Sequence, residues 1–261
     1  MRCNGRMHPE GLAHDLPRLL RRRLLLAGAA LPLLGRGAAA QDLAGARCAP
    51  IPPETAGPFP GNGSNRNAAG VANALALTGI VRRDIRSSIG AAQGRAEGVP
   101  LTLRLRLVAA NTGCTGLAGR ALYLWQCDRE GRYSMYSPGA ETQNYLRGVQ
   151  VADADGWLSF TTVFPGCYPG RWPHLHFEVY RSLDDAGSQR NKLRTSQMAL
   201  PEAACRAVYG MPGYEASAAH FRGQQLAQDG VFRDGAPLQL VRASGSVREG
   251  YTAELQIGLA A

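Results

Sequence analysis

The sequence predicts an all-β protein: an antiparallel β-sandwich core with an extended N-terminal arm and few short helices. Three observations lead there. Seven short segments carry strand signals, Gly and Pro clusters punctuate the intervals between them, and helical periodicity is scarce.

Residues 1–40 form a leader that is first basic and then apolar. Arg18 and Arg21-Arg22-Arg23 precede the run Leu24 to Leu34, and Ala38-Ala39-Ala40 before Gln41 is a small-residue cleavage site. The apolar run, about eleven residues, is too short to span a bilayer. Consecutive arginines directly before a short apolar stretch point to the twin-arginine export route. Leu20 and Leu24 stand where that signal commonly has Ser or Thr and Phe. A Sec signal and an uncleaved anchor are the alternatives, and Met7 is an alternative start. The expected product is periplasmic or extracellular, with no stable membrane insertion once the leader is removed.

The arm, residues 41–74, is rich in Pro, Gly and Asn. The domain, residues 75–261, follows. Leu101-Thr102-Leu103-Arg104-Leu105-Arg106-Leu107 alternates apolar and polar residues, the pattern of a half-buried strand. Further strands are expected from Ala121 to Gln126, Trp157 to Phe164, Pro173 to Tyr180, Lys192 to Leu200, Pro237 to Arg242 and Thr252 to Leu259. Ser137-Pro138-Gly139 and Asp153-Ala154-Asp155-Gly156 are turn clusters between them. Pro201 to Val208 reads as one short helix opened by its Pro, and Tyr214 to Leu226 as mixed helix and loop. Removing the leader leaves 221 of the 261 residues, a length suited to one domain.

Of the formal charge of +9, the leader's seven Arg and two acids account for +5, leaving 22 basic and 18 acidic residues. Lys192 is the only Lys, and no basic cluster is interleaved with aromatics, so nucleic acid is excluded as an expected partner. Cys3 belongs to the leader. Cys48, Cys114, Cys127, Cys167 and Cys205 remain without a C-x-x-C spacing, which argues against a zinc ribbon. An oxidising compartment accommodates one or two disulfides among them and leaves at least one thiol; the connectivity is open.

The chemistry concentrates in two stretches. Trp125 to Tyr133 ends in one tyrosine, and Phe164 to Phe177 carries Tyr168 and the pair His174 and His176. On a strand, residues i and i+2 share a face, so both imidazoles can reach one ion. Taken alone, a His-x-His pair is more often an ordinary strand feature, and two tyrosines are more often core. Outside the leader, however, the sequence has only three His (174, 176 and 220), and two fall here. Two imidazoles with two phenolates suit a hard, highly charged metal, in a protein Fe(III). A cupin-like site fails on spacing, because Glu178 follows the pair by two residues and His220 lies 44 positions on.

These stretches resemble the intradiol ring-cleavage dioxygenases, the family of protocatechuate 3,4-dioxygenase and catechol 1,2-dioxygenase. Trp125-x5-Gly131-x-Tyr133, Pro165-Gly166-x-Tyr168, Arg171-x-x-His174-x-His176-Phe177 and Thr195-Ser196-Gln197-Met198 carry the resemblance, which runs from about Thr55 to about Phe232. Only five residues separate Tyr168 from His174, shorter than in the soluble enzymes and similar to the exported branch of the family. The resemblance implies one non-haem Fe(III) per chain held by Tyr133, Tyr168, His174 and His176. It implies a catechol-type substrate, cleaved with O2 between its hydroxyl-bearing carbons to a muconate-type diacid. Tyr168 would be the ligand displaced by substrate and would take a catechol proton. Arg171 would stabilise negative charge on the ring, and Gln197 would hydrogen-bond at the site. Thr55-Ala56-Gly57-Pro58-Phe59 resembles the segment along the family's active-site rim. Soluble members are oligomeric; a homo-oligomer is open, and no interface is readable. Two other functions compete: a non-catalytic sandwich serving as a binding module, and a zinc-dependent hydrolase. Colour separates them, because Fe(III)-phenolate absorbs visible light and zinc does not.

Overall fold

The computed structural model describes residues 48–260 apart from Asn111. The leader, its cleavage site, the candidate start residues Met1 and Met7, and residues 41–47 lie outside the described residues. Among the described residues there are ten strands and two α-helices. The arm runs without regular structure to Gly61 and then folds into a hairpin, Asn62–Asn67 (β1) against Gly70–Asn73 (β2). The last part of the segment read as an arm is thus a hairpin. The turn forms because Asn67 Oδ1 accepts the Ala69 amide and Gly70 takes φ +129°.

Two four-stranded sheets follow. Pro100–Ala110 (β3), Ala121–Trp125 (β4), Arg147–Val151 (β5), Trp157–Val163 (β6), His174–Tyr180 (β7), Lys192–Ala199 (β8), Arg242–Ser246 (β9) and Gly250–Ala260 (β10) pair in the orders β6-β3-β10-β9 and β5-β4-β7-β8. Glu202–Val208 (α1) and Glu215–Phe221 (α2) lie in the connection between β8 and β9. The pairs are antiparallel except β3 with β10, which run parallel with Leu105 opposite Leu255. The expected all-β sandwich is present, with one parallel pair among its antiparallel ones. The strand expected at 237–242 is corrected. The amides of Gln239 and Leu240 turn back to the Ala236 carbonyl, and the true strand begins at Arg242.

Alternation decides which side of each strand meets which core. Leu101, Leu103, Leu105 and Leu107 of β3 face Leu122 and Leu124 of β4 and Leu175, Phe177 and Val179 of β7 in one hydrophobic cluster. The other faces of β4 and β7 do not reach water. Ala121, Tyr123, Trp125 and Tyr180 enter a second cluster with Tyr133, joined by Ala56 and Phe59 of the arm. All seven residues of β7 are buried as a result. His174, His176 and Glu178 therefore point away from the sandwich core, under the arm. β5 escaped the sequence pattern for the same reason, since its first three residues, Arg147, Gly148 and Val149, are all buried.

Candidate metal centre

Two loops carry the tyrosines, and glycines lock the loops together. After β4 the chain turns at Asp128, whose carboxylate accepts the amides of Glu130 and Arg132. Gly131 lies so close to the second loop that a Cβ would stand 3.0 Å from the Cys167 carbonyl oxygen, and it holds φ +85°. On the second loop, a Cβ at Gly166 would stand 2.6 Å from the Asp128 carbonyl and 2.6 Å from Ser217 Oγ. The Gly166 amide donates to that same Asp128 carbonyl, and the Cys167 amide donates to Ser217 of α2. Only glycine permits this approach. The tyrosines that follow, Tyr133 and Tyr168, are thereby brought edge to face, with ring centroids 5.8 Å apart.

β7 supplies the other two side chains. His176 pairs across the sheet with Trp125 on one side and Gln197 on the other. Four polar atoms meet. Tyr133 Oη lies 3.4 Å from Tyr168 Oη, Tyr168 Oη 2.9 Å from His174 Nε2, His174 Nε2 3.0 Å from His176 Nε2, and His176 Nε2 3.2 Å from Tyr133 Oη. The structure thus brings together all four residues expected as ligands. Nδ1 of His174 donates to the Trp172 carbonyl, which leaves Nε2 as its free lone pair. The His176 ring stacks on Trp125 with centroids 5.0 Å apart and planes 7° apart.

Burial governs the protonation of the metal-free group. Burial, and then the neighbouring Arg171 charge, push His174 down to about 3. Burial and His174 hold His176 well below its ordinary value. Both imidazoles are therefore neutral donors near neutral pH. Burial raises the Tyr133 phenol well above 10 and Tyr168 to about 12.

The donor set fits a hard trivalent ion. Donors at bond lengths of about 2.0–2.1 Å and angles of 90–110° stand roughly 2.9–3.4 Å apart, the span of the four separations above. Two neutral imidazoles and two ionisable phenols also offer a trivalent cation two anionic oxygens without a carboxylate. Among the described residues no group of three or more His, Cys, Asp or Glu side chains has metal-binding placement, so this Tyr–His set stands apart.

Around it lies a charged frame. Arg171 Nη1 is 3.5 Å from His174 Nε2. Its Nε donates to Asp229 Oδ2 at 2.9 Å and its Nη2 to Gln197 Oε1 at 2.7 Å. Gln197 Nε2 in turn donates to the Thr55 carbonyl of the arm. Both ends of the Gln197 amide are therefore engaged by protein, which fixes its orientation beside Arg171. Asp229 escaped sequence reasoning. It has no spacing relation to the ligands, and its only local signal was the Asp229-Gly230 turn. Burial acts to raise its carboxyl, but hydrogen bonds from Arg171, Trp172 and Val231 outweigh this and hold it below the usual carboxylate range.

Residues 84–189 match a family model described as Dioxygenase. The fold is similar to the intradiol ring-cleavage dioxygenase from Tetranychus urticae, with TM-score 0.56 and 24% identity over 72% of this chain and 91% of that one. The chain thus shares its fold with intradiol ring-cleavage dioxygenases, and part of it matches a dioxygenase family model. The matched span contains Tyr133, Tyr168, Arg171, His174 and His176, and ends before Gln197 and Asp229. A second dioxygenase crystal structure is similar with TM-score 0.59 and 22% identity, covering 82% of this chain and 95% of that one. The dioxygenase domain of a carbohydrate-binding fusion protein from Streptomyces sp. SirexAA-E is also similar (TM-score 0.49, 22% identity, 81% and 98% covered).

Proposed function

We propose that this protein is an exported, Fe(III)-dependent intradiol dioxygenase that cleaves a catechol-type ring between its two hydroxyl-bearing carbons with O2, giving a muconate-type diacid. The observation that carries this is the convergence of Tyr133 Oη, Tyr168 Oη, His174 Nε2 and His176 Nε2 at 2.9–3.4 Å. When bound, the ferric ion supplies Lewis acidity that favours the doubly deprotonated catechol.

The chain's own residues have distinct tasks. Tyr133 is buried and enclosed by Phe59, whose ring lies 5.0 Å away, so it serves as a fixed donor. Tyr168 is only partly buried, which makes it the tyrosine an arriving hydroxyl meets. Held as a phenolate by the ion, Tyr168 would be able to take a catechol proton, and burial, which raises the metal-free phenol to about 12, would favour its keeping that proton. Arg171 keeps a permanent positive charge beside the site, aimed by Asp229 and Gln197, where it stabilises negative charge developing on the ring. The arm, tied down at Thr55, covers one side of the donors and limits entry of water.

Export rests on the leader. It is supported by the disulfide Cys48–Cys114, which suits an oxidising compartment, while Cys127, Cys167 and Cys205 are buried thiols. Fusing residues 1–45 to a folded reporter and changing Arg21-Arg22-Arg23 to Lys tests the route: loss of export supports twin-arginine transport, and undiminished export points to Sec.

The enzyme assignment is tested by metal analysis, visible spectroscopy and oxygen uptake against a panel of catechols. A red to burgundy protein with about one iron per chain and catechol-dependent O2 consumption is expected. A colourless, zinc-filled and active preparation would sink it.

A further inference from the structure

Arg147 opens β5 with no exposed surface, and none of its hydrogen-bond partners is a carboxylate. All five of its N–H donors are used. Nε donates to Ser134 Oγ at 3.1 Å. Nη1 donates to the Pro60 carbonyl at 2.8 Å and to Tyr123 Oη at 3.2 Å. Nη2 donates to the Phe59 carbonyl at 3.1 Å and to the Ser134 carbonyl at 2.8 Å. Burying a guanidinium costs several kcal/mol, on the order of what a domain's net stability allows. Simple space-filling does not require that cost, because an apolar residue fills space at lower cost.

The partners give the reason for the charge. Phe59 and Pro60 belong to the arm, Ser134 follows Tyr133 directly, and Tyr123 belongs to β4. Phe59, Ser134 and Tyr123 each lie within two contacts of a proposed ligand. The Phe59 ring sits 5.0 Å from the Tyr133 ring. Tyr123 stacks at 5.2 Å on Trp125, which stacks at 5.0 Å on His176. Tyr123 Oη also donates to the Pro60 carbonyl, closing the ring of contacts. At Gly61 the arm passes so near that a Cβ would stand 2.9 Å from Arg147 Nη1.

We infer that Arg147 is a positioning residue of the metal centre, joining the arm at Phe59–Pro60 to the Tyr133 loop and to β4, and so fixing the Tyr133 phenol and the His176 imidazole. The inference rests on Tyr133 and His176 being the iron ligands proposed above. A lysine cannot replace this planar fork, since its ammonium offers three donors from one point.

Three proteins are compared: wild type, Arg147→Lys and Tyr123→Phe. The first measurement is hydrogen–deuterium exchange on the metal-free forms. The Gly61 amide, bonded to Tyr136 Oη, should exchange about tenfold faster in Arg147→Lys, while the β3 and β10 amides keep their protection. The second is the visible spectrum of the iron-loaded forms. The phenolate-to-iron band should move in Arg147→Lys at unchanged iron content, and kcat should fall about 10- to 100-fold, the effect of a displaced group. Exchange at Gly61 and a band both equal to wild type would overturn the inference. So would exchange accelerated evenly through the whole sandwich, which marks a bulk stability effect. Should Arg147→Lys fail to fold, Tyr123→Phe carries the test. It removes one acceptor of Arg147 and the bond to Pro60, and must shift both readouts in the same direction by less. An iron-free, colourless wild type would instead remove the ligand assignment, and the metal-free exchange result would still stand.

Discussion

The carboxylate of Asp229 holds Arg171 by two bonds, 2.9 Å to Nε and 3.3 Å to Nη2, and has no exposed surface of its own. It also accepts the Trp172 amide at 2.6 Å, and the Trp172 carbonyl in turn receives Nδ1 of His174. One acid therefore aims both the cation of the site and, through the single residue Trp172, one of its imidazoles.

Asp229→Asn should keep iron content and lower turnover by about 10- to 100-fold, because Arg171 loses its counter-charge and its aim. Stability should fall by roughly 2–3 kcal/mol, below the range for fully buried pairs because the Arg171 side chain is 19% exposed. Thermal melts and oxygen uptake read the two effects. Wild-type turnover in this variant would show that Asp229 does not govern Arg171.

The two tyrosines should separate spectroscopically. Tyr168→Phe should bind iron through Tyr133, His174 and His176, keep part of its colour, and lose turnover by about two to four orders of magnitude as a proton acceptor is removed. Tyr133→Phe should alter the spectrum both with and without a catechol present. Near wild-type turnover in Tyr168→Phe would remove the proton-acceptor role from that residue.

Acid should unfold the metal-free protein early. His174 falls from 6.5 in the unfolded chain to about 3 in the fold. The unfolded state therefore binds more protons between these values, and stability is full above about pH 6.5 and lost as pH falls towards 3. His174 alone should cost about 2 kcal/mol by pH 5, and His176 shifts in the same direction. Urea melts of the iron-free protein at pH 7 and pH 5 measure this; equal midpoints would contradict it.

Reduction should loosen the start of the arm. Cys48 and Cys114 are 66 residues apart, and a cross-link over that span stabilises by up to about 4 kcal/mol through chain entropy. A melting temperature unchanged by dithiothreitol would show that the Ile51 amide bond to Gly258 and its neighbours hold the arm unaided.

Much of this was legible in the sequence, and the remainder failed for identifiable reasons. Leu101 to Leu107 reads plainly as a strand because one face meets the core and the other meets water. Arg147–Val151 does not, because it opens with three residues buried in a row. The tyrosine and histidine motifs are local, so their spacing survives in one dimension. Asp229 reaches Arg171 across 58 residues, and Arg147 reaches Phe59 across 88, so neither partnership leaves any periodic trace. Gln197 was correctly placed beside the site, but its orientation depends on the arm carbonyl of Thr55, which spacing cannot supply.

The row Trp125, His176, Gln197 runs straight across three neighbouring strands. A slip of β7 by one residue would turn both histidines into the sandwich interior and present Leu175 and Phe177 in their place. Metal capture thus acts as a gauge of strand register. If iron binds as proposed, the ratio of visible colour to protein in any preparation reports the fraction of molecules whose β7 is aligned, and misaligned chains are left behind as a colourless population.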